Sequence, residues 1–195
     1  MKKIIITSLI LILSLPLFSQ DELTVLDMFY QLPSEAFDGI CDDLSTDERE
    51  EIIRNESSGI WTLKKESKSE YSIIGGDQSI TVLKKDTEKF QMAIVHTSCA
   101  QTSRVSIWIF NKDEHSFIKK NLLPEVKISE FYSKEDAQKI PKDYKGSISF
   151  YLDEGRIIAS LWTWMETPIE NLQIKYKIYI DWKVDKFEKV KELYK

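Results

Sequence analysis

Residues 89–111 read KFQMAIVHTSCAQTSRVSIWIFN. Two interpretations compete for them. His96 stands three positions before Cys99 with hydroxyls around both, the residue types of a nucleophile beside its base. The same residues also alternate as a strand, with Met92, Ile94, His96 and Ser98 on one side and Ala93, Val95, Thr97 and Cys99 on the other. A catalytic thiolate needs its base within hydrogen-bond reach, and alternation puts the sheet between them. The stretch is therefore expected to be a hairpin, 89–99 pairing with 104–111 across a turn at Ala100 to Ser103, and catalysis there is not expected.

The same period of two runs outward from this hairpin. IWTLKK (60–65) reads as a short strand, and EYSIIGGDQSITVLKK (70–85) as two strands joined at Gly75-Gly76-Asp77, residues that tolerate positive φ. GSISFYLDEGRIIASLWTW (146–164) is a further pair, turning at Asp153-Glu154-Gly155-Arg156. In LQIKYKIYIDWK (172–183), Ile174, Tyr176, Ile178, Ile180 and Trp182 share one face, and Lys175, Lys177, Tyr179, Asp181 and Lys183 the other. That pattern predicts a sheet with one buried and one wet side.

Helical spacing is confined to shorter pieces. Leu23, Leu26, Phe29 and Tyr30 predict a helix ended by Pro33, and Ser34 caps a short second turn carrying Phe37 and Ile40. LSTDEREEII (44–53) predicts a helix capped by Ser45 or Thr46, with Ile52 and Ile53 inward. Its carboxylates suit the positive helix end and are not expected to hold a metal. YSKEDAQKIP (132–141) predicts one more helix, with Ser133 as cap and Pro141 as stop. The fold class is α+β: N-terminal helices packed on a meandering antiparallel β-sheet built of hairpins, in a single domain over residues 21–195.

The first 20 residues, MKKIIITSLILILSLPLFSQ, have the order of a secretory signal peptide: Lys2 and Lys3, an apolar run broken by Pro16, then Ser19 and Gln20. The apolar run is shorter than the roughly 18–20 residues that span a bilayer. Cleavage near Ser19 or Gln20 is expected, giving a soluble mature chain in the periplasm or outside the cell that does not span the membrane. Without Lys2 and Lys3 the balance is 25 basic residues against 32 acidic ones, a net charge of −7. The lysines are scattered, so nucleic acid is not an expected partner. Cys41 and Cys99 could bridge in an oxidising compartment, but two buried thiols are the expected state.

Catalytic and cofactor signatures are missing from the sequence. It has no HExxH, no Cys-x-x-Cys and no G-x-S-x-G, and Gly75-Gly76 lacks the lysine and hydroxyl of a phosphate loop. His115 falls in NKDEHSF (111–117), a loop by composition. No cofactor and no metal are expected. Trp162 and Trp164 share one face of their strand with Ser160, opposite Ala159, Leu161 and Met165. If Leu161 and Met165 face the core, the tryptophans form an aromatic platform able to bind a sugar, a peptide or a partner protein; ordinary burial under the N-terminal helices explains them as well and is the favoured reading. Tyr179, among lysines, is a weaker binding candidate. These features point to a non-enzymatic binding or interaction domain, its partner unknown in kind but compatible with an envelope protein or glycan. Two alternatives are a glycan hydrolase using paired carboxylates and an inhibitor or immunity-type protein whose acidic surface blocks a basic partner.

Several short motifs also resemble a family of exported proteins of unknown function found mainly in Bacteroidota. They are Phe29-Tyr30-Gln31-Leu32-Pro33, the polar-capped helix at 44–53, IVHTSCAQTSRVSIWIF (94–110) and YIDWKVDKFEK (179–189), a Trp-acidic-x-Phe hairpin. Ser98-Cys99-Ala100-Gln101 stands where the family pattern has a Gly-Pro loop. The resemblance implies export and the same fold, and no activity.

Overall fold

A computed structural model describes residues 22–100, 102–142, 144, 146–162 and 172–194. Antiparallel β-structure dominates the described residues, with a few short helices. The segment 1–20 read as a signal peptide lies outside them, as does Trp164.

Local sequence sets the helix ends. In α1 (Val25–Gln31), Thr24 accepts from the Asp27 amide at 3.1 Å while Asp27 accepts from the Thr24 amide at 2.8 Å. A 3₁₀ turn, Ser34–Phe37, follows Pro33. In α2 (Thr46–Asn55), Ser45 is the cap and Glu48 completes the reciprocal pair. The third helix is a single turn, α3 (Lys134–Ala137), capped by Ser133 as expected but shorter than the 132–141 pattern suggests.

Two sheets replace the single meander expected from the sequence. The first has seven strands in chain order: β1 (Ser57–Ser58), β2 (Trp61–Glu66), β3 (Glu70–Gly75), β4 (Gln78–Asp86), β5 (Gln91–Cys99), β6 (Thr102–Asn111) and β7 (Ser116–Lys120). The second has four: β8 (Ser147–Asp153), β9 (Arg156–Trp162), β10 (Tyr176–Lys183) and β11 (Lys186–Leu193). Turns fall where Gly and acidic residues stand. Gly75 pairs with Gln78 around Gly76-Asp77, and Asp153 pairs with Arg156 around Glu154-Gly155, both residues at positive φ. NKDEHSF is only partly a loop, because Ser116 and Phe117 open β7.

The second sheet covers a face about which alternation alone says nothing. Met92, Ala93, Ile94 and Val95 are all buried, because β5 is covered on both faces. Ala93 and Val95 join Ile73, Ile80, Val82 and Trp108 in one core with Met28 and Phe29 of α1 and Ile52 of α2. Met92 and Ile94 join Ile107, Ile157, Ile178 and Ile180 in a second core between the sheets. A continuous apolar run at 92–95 is the sequence trace of this double burial.

The cysteines correct a second expectation. Cys41 and Cys99 form a disulfide, with Cα atoms 5.6 Å apart, and are not two free thiols. Neighbouring contacts draw the 38–42 segment onto the same end of β4 and β5. The Gln78 carboxamide accepts from the Cys41 amide at 2.9 Å and donates to Asp42 at 2.6 Å, and Thr97 donates to the Asp38 carbonyl at 2.8 Å. Gly39, at φ 100°, sits so close that a Cβ would lie 3.0 Å from Thr97 Oγ1.

Candidate functional site

His96 and Cys99 diverge as alternation requires. Cys99 belongs to the face of Thr97 and is bonded to Cys41. His96 turns to the other face, where its Nε2 lies 2.9 Å from Ser103 Oγ. Ser103 in turn donates to the Phe150 carbonyl at 2.9 Å. A serine has one proton, so Nε2–H must be the donor to Ser103 and His96 holds the Nε2–H tautomer. Burial pushes the imidazole down to about 4, so it is neutral at physiological pH. The chain His96–Ser103–Phe150 thus clasps β5 and β6 to β8. Ser103 is not activated as a nucleophile, since its proton is committed to a backbone carbonyl.

Beside this clasp the same face of the first sheet changes character. Under the second sheet its side chains are apolar: Leu83, Met92, Ile94, Val105 and Ile107. Past the edge of that cover they become hydroxyls. Ser72 and Thr81 pair across β3 and β4 at 2.9 Å, and Ser79 and Ser98 across β4 and β5 at 2.8 Å. Their partners in sequence, Tyr71, Ile73, Ile80 and Val82, are buried on the opposite face.

Ser72, Ser79, Thr81 and His96 form the floor of a groove of about 340 Å³. One wall carries Lys64, Lys65 and Glu70, the last two joined by a 2.5 Å ion pair. The other wall is the tip of the β8–β9 hairpin, with Leu152, Glu154 and Gly155. Nothing singled out these hydroxyls in the sequence; the usable signal was a small polar residue on the same face of three successive strands, Ser72, then Ser79 and Thr81, then Ser98.

A larger hollow of about 770 Å³ lies between α3 and the ends of β10 and β11. Ile174, Leu193 and Tyr194 are exposed at its rim, and Lys175 and Lys191 flank the ring of Tyr176.

Of the aromatic candidates, Tyr179 differs from expectation. Tyr179 does not stand on a wet face: it is 8% exposed. The Arg156 guanidinium lies 3.7 Å above its ring centroid, held by Asp181 at 3.0 and 2.9 Å and by Glu192 at 2.9 Å. Two acidic partners spread the arginine over the ring, a cover that alternation cannot reveal. Leu161 and Ala159 face the inter-sheet core. Trp162 pairs through its backbone with Ser147, and its side chain, like Trp164, lies outside the described residues.

Arg49 is a further residue the sequence hid. It is 3% exposed, and its Nη1 donates to the carbonyls of Phe29, Tyr30 and Leu32 at 3.1, 2.9 and 2.6 Å. It closes the C-terminus of α1, where unsatisfied carbonyls gather. The guanidinium also stacks 5.0 Å from the Phe37 ring.

Among the described residues, no helix is long and apolar enough to cross a membrane. No family model, no curated protein and no solved structure matches the chain.

Proposed function

We propose that the chain is an exported, non-enzymatic binding domain of the bacterial envelope, and that the hydroxyl-floored groove beside His96 is its binding surface. In this reading residues 1–20 are a cleaved leader, and residues 21–195 are one α+β domain whose N-terminal helices form a layer on the first sheet. Kinship with the exported Bacteroidota family belongs to the same proposal. The observation that carries it is the clasp: the one histidine in the groove is neutral and spends its proton on Ser103, whose own proton goes to Phe150. The groups around it are arranged to hold and not to attack. The Cys41–Cys99 bridge supports an oxidising compartment.

A second reading rests on charge. Residues 22–56 carry eleven carboxylates and two arginines, one of them the buried Arg49. Asp43, Asp47 and Glu56 are exposed there, which favours an inhibitor-type protein that meets a basic partner through the helices. One experiment separates the readings. Envelope extract is passed over the wild-type protein, a groove-filling Ser79→Trp variant and an Asp43→Lys, Asp47→Lys variant, and the retained component is identified by mass spectrometry. The groove reading expects retention of an unaltered component that is lost only in Ser79→Trp. Loss only in the lysine variant moves the conclusion to the acidic helices, and a cleaved product that accumulates with time overturns both in favour of a hydrolase.

A further inference from the structure

We infer that the groove takes a neutral, polyhydroxylated ligand, one or two uncharged sugar rings. This rests on the groove being the binding surface proposed above, and names the ligand class that fits it.

Three features of the lining lead there. First, the hydroxyls are paired in a way that leaves the floor both giving and receiving. In Ser72–Thr81, both of which line the groove, one proton closes the pair and the other hydroxyl keeps a proton to donate; of Ser79–Ser98 only Ser79 lines it, and its oxygen keeps a lone pair to accept. His96 adds an acceptor, because Nε2–H is spent on Ser103 and Nδ1 carries the lone pair. A sugar hydroxyl, which also donates once and accepts, matches this floor at either pole.

Second, the charges of the walls cancel. Lys64 and Lys65 face Glu70 and Glu154, and Lys65 is already bound to Glu70. An anion or a cation entering the groove would leave its water for a site with no net opposite charge, at a cost that only a dedicated partner offsets. A neutral ligand incurs no such cost.

Third, size and apolar surface agree. A groove of about 340 Å³ stands at the small end of the range for small-molecule sites, roughly 300–1,000 Å³. Leu83 and Leu152 line it as well, offering carbon surface to the C–H faces of a ring.

The test follows amide resonances of the ¹⁵N-labelled protein during titration with glucose, galactose, mannose, N-acetylglucosamine and chitobiose. Glucuronate and glucosamine serve as charged counterparts. The expected result is that at least one neutral sugar shifts Ser72, Thr81 and His96 saturably. Its charged counterpart binds at least ten-fold more weakly, a difference of about 1.4 kcal/mol. Combining Ser79→Ala with Thr81→Val weakens the neutral sugar ten-fold or more while resonances on the helix side stay in place. The wild-type shift map stands by itself if that variant fails to fold. Tighter binding of glucuronate or glucosamine overturns the ligand class and leaves the groove as a site. The absence of any saturable shift up to the solubility of every sugar overturns the inference. In that case the capture experiment decides separately: a component still lost in Ser79→Trp keeps the binding reading, and no component retained by the wild type removes it.

Discussion

The two faces of the seven-stranded sheet are covered by different means. The first face meets Met28, Phe29 and Ile52 of the helices in one continuous core. It is also fastened there by the Cys41–Cys99 bond, by Gln78 on the 41–42 backbone and by Arg49 on the end of α1. The second face is covered by the four-stranded sheet through apolar packing, with the His96–Ser103–Phe150 clasp at its margin. The four-stranded cover stops short, and the floor beyond it turns from Met and Ile to Ser and Thr. The contrast teaches that the strands write two different instructions on alternate residues. One side specifies a sealed core held by strong fasteners. The other specifies a partial lid and, past its edge, a surface that can face water.

If the first face depends on its fasteners, cutting them should cost most. Replacing Cys41 and Cys99 together by serine opens a loop of 58 residues, which chain entropy values at about 4 kcal/mol. Denaturant melts of the double variant, and of the wild type with and without a thiol reductant, should show a matching fall in midpoint. No fall would mean that the bridge is not what holds the helices down.

Arg49 is expected to come next. Arg49→Leu leaves three carbonyls near the end of α1 without their donor, a loss of about 3 kcal/mol, and Arg49→Lys should recover only part of it. Urea unfolding of the three proteins checks the order.

The clasp on the second face predicts a dependence on acid. His96 is held down to about 4, against an ordinary histidine value near 6.5, because burial disfavours the imidazolium. As pH falls from about 6.5 the unfolded chain takes up this proton before the folded one does. Its contribution is complete above that pH and is lost as pH drops towards 4, on the order of 2–3 kcal/mol. Glu130, which lysine partners and hydrogen bonds keep below the usual carboxylate range, also loses stability in acid, in wild type and variant alike. The thermal midpoint of His96→Gln should therefore fall less steeply than that of the wild type between pH 6.5 and 4. Parallel curves would show that the clasp carries no buried neutral imidazole.

The smallest effect lies in an exposed turn of the second cover. Val184, in the β10–β11 turn, is almost fully exposed yet sits at φ 52°, a left-handed conformation that a β-branched side chain resists. Val184→Asn should stabilise the second sheet by about 1 kcal/mol, read as a raised thermal midpoint with both covers unchanged.

Much of this architecture was legible in the sequence, and the misses have physical causes. The caps Ser45 and Ser133, the Gly76 and Gly155 turns and the parting of His96 from Cys99 follow from local rules that need only a few neighbouring residues. The second sheet does not. Alternation shows which residues share a face, but not what lies over that face, so it could not tell that both sides of β5 are covered. Tyr179 was misread for the same reason: its lysine neighbours in sequence suggested water, while Arg156, from the next strand, covers the ring. The disulfide was open in the sequence because Cα separation decides it, and a sequence separation of 58 sets no distance. The groove escaped notice because Ser and Thr are common on wet strand faces, and only cross-strand register shows that they pair.

The strictly neighbour-to-neighbour order of both sheets has one more consequence. Each ladder joins strands that follow one another along the chain, so assembly can proceed like a zip, every rung laid against the one just completed. Such growth closes short loops at little entropic expense. Two distant steps remain, the seating of the N-terminal helices with their disulfide and the arrival of residues 147–193, and the groove is complete only with the second.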